Sequence, residues 1–514
     1  MESKIDELLH LSYKNGKYQK LVLFFCFLTW INSNIFNTSI ELLGQRARVI
    51  DPFNSSITDE LNDDLCEKII KDTNNTYKFN RNINSIISSL NYDCDKFGIS
   101  LFSISPYIGN IFGGAIYIYI SNHRTYKSLI FTASTCFVIV LTCISIPTNF
   151  IFISGGLMIS SIMANSILCS TFMLGIENEI GKRRTRFTMI VYLGYLICKF
   201  VYPTLLMRIV ELNWRGVFGF CVIITGVIEL FFYFYTVESP RTLMMLNRNS
   251  DAVDSLRYIA QCNGVEKKFE EKIKSNEYKD IISSMKKDKE IDLYNKSDRG
   301  IKALFKSKKD FKCCMIFNCI WLTVHMSKNF LFEILFDLDL NFNFTSYVYL
   351  DIVMQIVGII LISFLIEVKF LGRNRTLYLT CFIFTFVYSL YNVFDSNDQK
   401  TEGIVANVVY YLAIFLSLLF SGCKCLLYTY SVESYPTNLL ATAFGLNMIS
   451  ASVGNIIGTL LEANYGEVGE WIFSGLILIS GVMAMFLEET RDQSEEKITE
   501  GLSLVKANEF GDEL

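Results

Sequence analysis

The strongest constraint on this chain is a series of long, unbroken apolar runs. They cover roughly 20–40, 98–120, 128–147, 150–175, 187–209, 215–236, 312–336, 346–367, 375–394, 404–430, 440–462 and 469–487. Each is close to the ~20 residues that a helix needs to cross a hydrocarbon layer of ~30 Å. Apolar residues in these runs do not alternate with polar ones, as they would in a barrel strand, and backbone in lipid must satisfy its own hydrogen bonds. The runs therefore predict helices. Composition agrees: 51% of residues are hydrophobic, 14% are aromatic and mean hydropathy is +0.33, more than a soluble interior uses. The runs fall six and six about a polar stretch at 237–311. The expectation is an all-α membrane protein with 12 transmembrane helices in two pseudo-symmetric six-helix bundles.

Charge predicts the orientation, because Lys and Arg are retained on the cytoplasmic side. Residues 237–312 carry 18 Lys/Arg against 13 Asp/Glu, and "GKRRTR" (181–186) adds four basic residues. The loop 41–97 has 10 Asp/Glu against 7 Lys/Arg, and 462–470 holds Glu462, Glu467 and Glu470 with no cation. The chain then divides into a cytoplasmic lead-in (1–19), a first bundle (20–236) with an extracellular loop at about 41–97, a central cytoplasmic helical loop (237–311), a second bundle (312–487) and a cytoplasmic tail (488–514). The first run reads as a span rather than a signal peptide, since no small-residue cleavage pattern follows it. In the outer loop, the sequons at Asn54 and Asn74 are candidate glycan acceptors and Cys66 is placed to pair with Cys94. The other thirteen cysteines lie mostly in apolar runs and read as small packing residues.

Enzyme chemistry finds no foothold. There is no P-loop, no Gly-x-Ser-x-Gly, no zinc-ligand spacing, and only three His in the chain. No cofactor and no nucleic-acid partner is expected; the partners are the lipid bilayer and a small solute, and the chain is expected to be a monomer.

The polar segments between the runs carry the more specific signal. "IDELLHLSYKNGKYQK" (5–20), "NYDCD" (91–95), "ENEIGKRR" (177–184), "NWR" (213–215), "ESPR" (238–241) with "LRYIAQCNG" (256–264), "ALFKSK" (303–308), "LGRNR" (371–375) and "YSVESYPT" (430–437) occur in this order. Together they resemble the organic cation, anion and carnitine transporter family of the major facilitator superfamily, nearly end to end. The resemblance implies the major facilitator fold and a cavity that binds organic ions between the two bundles. Glu177, Arg183, Arg184, Glu238, Arg241, Arg373, Arg375 and Glu433 stand at predicted cytoplasmic helix ends, where opposite charges can bridge the halves in one state and part in the other. Exposed pairs are worth about 0–1 kcal/mol, which suits two states a few kcal/mol apart; a topology-determining role is the alternative. The chain departs from the family at Asn122, where an acid is usual, and at Leu440, where an arginine is usual.

Ionisable residues inside membrane helices are functional candidates by default. Trp321, His325 and Lys328 share a helical face, as do Asp351 with Gln355 and Lys424 with Tyr428. The resemblance implies that these helices line the cavity. It also implies that Lys328 replaces a tyrosine, Gln355 a common glutamate, and Ser452 the charged residue of cation or anion carriers. The cavity thus loses carboxylates and gains Lys328 and Lys424, which favours an anion or zwitterion over a cation; internal pairing of Lys328 with Glu333 or Asp351 is the competing reading. Lys199 and Glu229 are expected to pair structurally. The function expected is secondary transport of a small organic ion by alternating access. The alternatives are a non-transporting sensor or scaffold on the same fold, motivated by Asn122 and Leu440, and a sugar porter.

Overall fold

A computed structural model describes residues 16–43, 86–90, 94–146, 149–179, 181–201, 213–246, 248–274, 300–337, 344–395 and 404–490, with three short strands between 48 and 80 and the single residues 9, 12 and 92. The first six long helices are α1 (Lys17–Leu43), α2 (Lys96–Ser121), α3 (Tyr126–Ile144), α4 (Phe150–Glu177), α5 (Lys182–Phe200) and α6 (Trp214–Tyr235). After the linker come α7 (Lys308–Asp337), α8 (Phe344–Leu365), α9 (Gly372–Asp395) and α10 (Ile404–Glu433). Helical backbone then runs through Thr437–Ala484. The Leu461 carbonyl nevertheless lies 3.0 Å from where a Cβ of Gly469 would stand, whereas eight residues of straight helix separate their ends by ~12 Å. The chain therefore doubles back within this stretch, and it carries two apolar helices, α11 (Asn438–Leu461) and α12 (Val468–Ala484).

Among the described residues, eight helices are long and apolar enough to cross a membrane, and the apolar parts of α8 and α12 are shorter. The expected fifth run, 187–209, starts earlier as α5; residues 202–212 lie outside the described residues, as do Asn54, Cys66 and Asn74. Cys94 is disulfide-bonded. The strands β1 (Arg48–Ile50), β2 (Thr58–Asp59) and β3 (Lys78–Asn80) form an antiparallel sheet in the order β2-β1-β3, which the run of apolar helices gave no reason to expect.

Packing repeats between the halves. In the first, α1 packs on α5, α2 on α4 and α3 on α6; in the second, α7 packs on α11, α8 on α10 and α9 on α12. Glycines allow these approaches. A Cβ at Gly109 would sit 2.2 Å from the Met158 carbonyl, and one at Gly454 would sit 2.1 Å from that of Leu322. The small-residue faces of α2 and α11 thus meet helices of their own half. Between the halves, α2 meets α11 and α5 meets α8, the same contact under the repeat.

The stretch after α6 turns into short helices, Pro240–Met245, Asn249–Cys262 and Glu266–Lys274. Ser239 caps the first by accepting the Thr242 N–H, with Pro240 in the first turn, where a missing N–H costs little. Leu243, Leu256, Ala260 and Phe269 bury a common face with Leu9. Asn263 ties this layer to the start of α1: its Oδ1 accepts the Tyr18 N–H at 3.0 Å and its Nδ2 donates to the Ser12 carbonyl at 2.8 Å.

Candidate functional site

A cavity of about 260 Å³ lies between the halves. Trp30, Asn34 and Asn37 of α1, Tyr107 and Asn110 of α2, Asn165 of α4 and Tyr192 and Tyr195 of α5 form one wall. His325 of α7, Lys424 and Tyr428 of α10 and Ser452 and Asn455 of α11 form the other. Lys424 is buried, with its Nζ 4.3 Å from the Phe420 ring centroid and 5.9 Å from that of Tyr195, so π-faces surround the cation. No Asp or Glu occurs among the described lining residues.

Aromatic rings from both halves close the linker end of this cavity. Tyr428 packs against Trp30, Phe172, Tyr192 and Trp321 at centroid distances of 5.5, 5.8, 5.7 and 4.7 Å, and Phe444 stacks on Phe172 at 4.9 Å. Beyond this layer α2 and α11 come close: a Cβ at Gly445 would stand 2.4 Å from Ile118, and one at Gly114 would stand 2.7 Å from Ile449. The cavity extends the other way, towards Thr38, Phe102 and Thr459.

Of the residues expected to bind substrate, His325, Lys424, Tyr428 and Ser452 line the cavity. Trp321 stands one layer behind, stacked on His325 at 5.3 Å. Asp351 and Gln355 are buried elsewhere: Gln355 Nε2 donates to Asp351 Oδ2 at 2.7 Å, and Lys199 Nζ of α5 donates to Gln355 Oε1 at 3.2 Å. This chain crosses between the halves beside the cavity. It also replaces the expected Lys199–Glu229 pair, since Glu229 borders a separate small cavity of the first half. Lys328 and Glu333 lie in α7, with side chains outside the described residues. The sequence reading followed charged groups and passed over Asn34, Asn37, Asn110, Asn165 and Asn455. An amide inside an apolar run was the signal that would have found them.

At the linker end the expected charged residues form two equivalent networks, each within its own half. Glu177, at the buried end of α4, accepts hydrogen bonds from Tyr126 Oη (3.0 Å), Ser239 Oγ (2.5 Å) and Thr242 Oγ1 (2.6 Å), with Arg241 close enough to act on its charge. Glu238 accepts the N–H groups of Tyr126 and Lys127 at 3.2 and 2.8 Å, capping α3. Glu433, at the end of α10, takes a two-pronged bond from Arg373 at 3.0 and 3.3 Å and one from Thr490 Oγ1 at 3.0 Å. Glu489 accepts the N–H groups of Arg373 and Asn374, both at 3.0 Å, capping α9. Thus Glu238-Ser239 after α6 and Glu489-Thr490 after α12 do the same work. Gly372 permits the second cap: its φ is +63°, and a Cβ there would stand 2.3 Å from Glu489.

A bond that crosses the halves here is neutral on the donor side, from Thr185 Oγ1 of α5 to Glu433 Oε1 at 2.6 Å. Among the described bonds, the Arg373–Glu433 ion pair lies within the second half, and Thr185–Glu433 is a contact that crosses. Arg183 is exposed, Arg184 Nε donates to the Glu179 carbonyl at 3.1 Å, and Arg375 Nη1 donates to that of Phe370 at 2.8 Å. Asn122 Nδ2 donates to the Ile118 carbonyl at 2.8 Å, and Leu440 is buried in the core. Burial pushes the Glu238 carboxyl up to about 7, against the opposing pull of the Lys127 and Ser239 N–H groups.

The sequence profile of the Major Facilitator Superfamily matches residues 23–459. The chain belongs to the major facilitator superfamily. Within that superfamily it is similar to organic anion transporter 3 of Mus musculus, 25% identical over 63% of this chain, and to organic cation/carnitine transporter 5 of Arabidopsis thaliana, 26% identical over 80%. The first alignment spans 57% of the mouse protein and the second 76% of the plant protein. Solute carrier family 22 member 6-B of Xenopus laevis is 28% identical over 51% of the chain and 46% of its own length. Among solved structures, the proton:xylose symporter XylE bound to 6-bromo-6-deoxy-D-glucose superposes with a TM-score of 0.63 over 93% of this chain and 98% of its own. At 14% identity it shares the major facilitator fold alone. The protein is thus an integral, multi-pass membrane protein of this superfamily, and the organic-ion relatives agree with the resemblance read from its loops.

Proposed function

We propose that this protein carries a small organic anion, or a zwitterion held by its carboxylate, across the plasma membrane by alternating access. Two six-helix bundles, 20–236 and 312–487, rock about the cavity, and the linker 237–311 and both termini face the cytoplasm. The observation that carries this reading is Lys424, buried in a lining without carboxylates among the described residues. A cation there would meet the positive charge of Lys424 in a lining without carboxylates among the described residues, whereas an anion gains a charge-assisted hydrogen bond and the Asn and Tyr donors around it. Relatives named as organic anion transporters point the same way. The intact networks at Glu177 and Glu433 support a working gate despite Asn122 and Leu440.

The test is uptake into proteoliposomes of radiolabelled aromatic and aliphatic carboxylates, tetraalkylammonium cations and betaine-like zwitterions. Carboxylate uptake is expected. Because a hydrogen bond to a charged group is worth about 1.5–3 kcal/mol, Lys424→Ala should lower uptake by roughly 10- to 100-fold, and Lys424→Arg should retain part of it. Uptake of cations alone, or full anion flux in Lys424→Ala, overturns the reading.

A further inference from the structure

A second cavity, of about 20 Å³, lies wholly within the first half. That volume suits one water-sized occupant. Its polar lining is Thr29, Asn32 and Ser33 of α1, Ser134 of α3, and Thr225 and Glu229 of α6, and no Lys, Arg or His lines it among the described residues. The available protons are largely committed elsewhere. Thr29 Oγ1 donates to the Phe25 carbonyl at 2.9 Å and Thr225 Oγ1 to that of Cys221 at 2.7 Å, so both hydroxyls present lone pairs to their surroundings. Asn32 Nδ2 donates to Thr225 Oγ1 at 2.6 Å. Ser134 Oγ donates to the Ile130 carbonyl at 2.7 Å. Asn32 is 5% exposed, and its Oδ1 receives no hydrogen bond among the described residues.

A buried acceptor without a donor is destabilising, and a carboxylate inside a membrane helix also needs a compensating charge. This arrangement of oxygens, with a single formal negative charge, is what a cation satisfies. All donors are hard oxygens, which select hard cations over transition metals. One carboxylate neutralises a monovalent ion and leaves a divalent ion with buried excess charge, and the volume favours a small, dehydrated ion. We propose that this cavity is a sodium site, with Glu229 and the Asn32 carbonyl as principal ligands and the Thr29, Ser33, Ser134 and Thr225 hydroxyls completing the shell. The site shares a wall with the larger cavity: Thr29, Asn32 and Ser33 face the ion while Trp30, Asn34 and Asn37 face the cleft. Bound sodium ties α1 to α6 and holds the α1 wall in place. The proposal stands on this cavity alone and does not depend on which solute the cleft accepts.

The test is thermal unfolding of the purified full chain in detergent, at constant ionic strength, with NaCl exchanged for choline chloride or KCl. Tm is expected to rise saturably with sodium, and choline and potassium should not reproduce the rise. Glu229→Gln should abolish it, and Asn32→Ala should weaken the sodium affinity at least ~10-fold. Should Glu229→Gln fail to fold, Ser134→Ala and Thr225→Val serve instead, each expected to shift the sodium midpoint upwards. Equal Tm in sodium and choline overturns the proposal. So does an unchanged sodium midpoint in Asn32→Ala, Ser134→Ala and Thr225→Val together, and so does a Tm that ignores sodium and follows pH, which identifies a proton as the occupant.

Discussion

Arg373 and Glu433 form the most buried ion pair among the described residues, with side chains 7% and 15% exposed. Removing one partner strands the other. Arg373→Ala leaves Glu433 with hydroxyl donors only and should cost roughly 3 kcal/mol; Arg373→Lys keeps the charge but loses the fork and should fall between. The order of Tm values in detergent checks this. Glu238 behaves differently, because burial holds its carboxyl near 7 rather than at its ordinary value of 4.5. The folded state keeps the proton that the unfolded chain gives up, so this group's contribution to stability is greatest in acid and is lost as pH rises from about 4.5 to 7. Glu238→Gln should flatten that part of the Tm–pH profile, and an unchanged profile would count against the assignment. These roles were only partly legible in advance: the motif named the residues, but whether Glu238 faces a basic residue or caps α3 depends on where α3 begins in space.

At the scale of elements, the contact between α2 and α11 decides whether the linker end can close. Gly445→Leu would drive a side chain into Ile118, whose Cγ1 lies 2.4 Å from the Cβ position. The strain falls at the contact between halves, so the protein should fold and elute normally while flux drops at least ~10-fold. Wild-type flux in this variant would show that the contact is not part of the cycle. Gly109 and Gly454 are different cases, because they face α4 and α7 within their own halves. Leucine there should lower expression and Tm. Only the neighbouring helix separates a moving contact from a fixed one.

For the whole molecule, the structure is closed at the linker end by Thr185–Glu433, the α2–α11 contact and the aromatic layer, with the cavity extending the other way. The alternating access proposed above requires this end to open. In Thr185→Cys/Glu433→Cys, oxidation should stop transport and reductant should restore it, whereas the same oxidation of the wild type, the control for native thiols such as exposed Cys143, should leave flux largely unchanged. Flux that survives a verified cross-link would mean that the halves need not separate here.

The sequence by itself determined the membrane setting, the order of the helices, their division about a basic linker and the superfamily. Each depends on a local property: the length of an apolar run, the charge of a loop, or a motif at a helix end. The tertiary structure alone decided which side chains share the cleft, because a residue's direction about its helix axis is set by the neighbours its helix packs against. Asp351 and Gln355 turn towards Lys199 rather than into the cavity, and a ring of asparagines joins Lys424 there. Glu489 and Thr490, read as the start of a polar tail, became the second copy of Glu238 and Ser239 only once α12 had brought them back to α9 and α10.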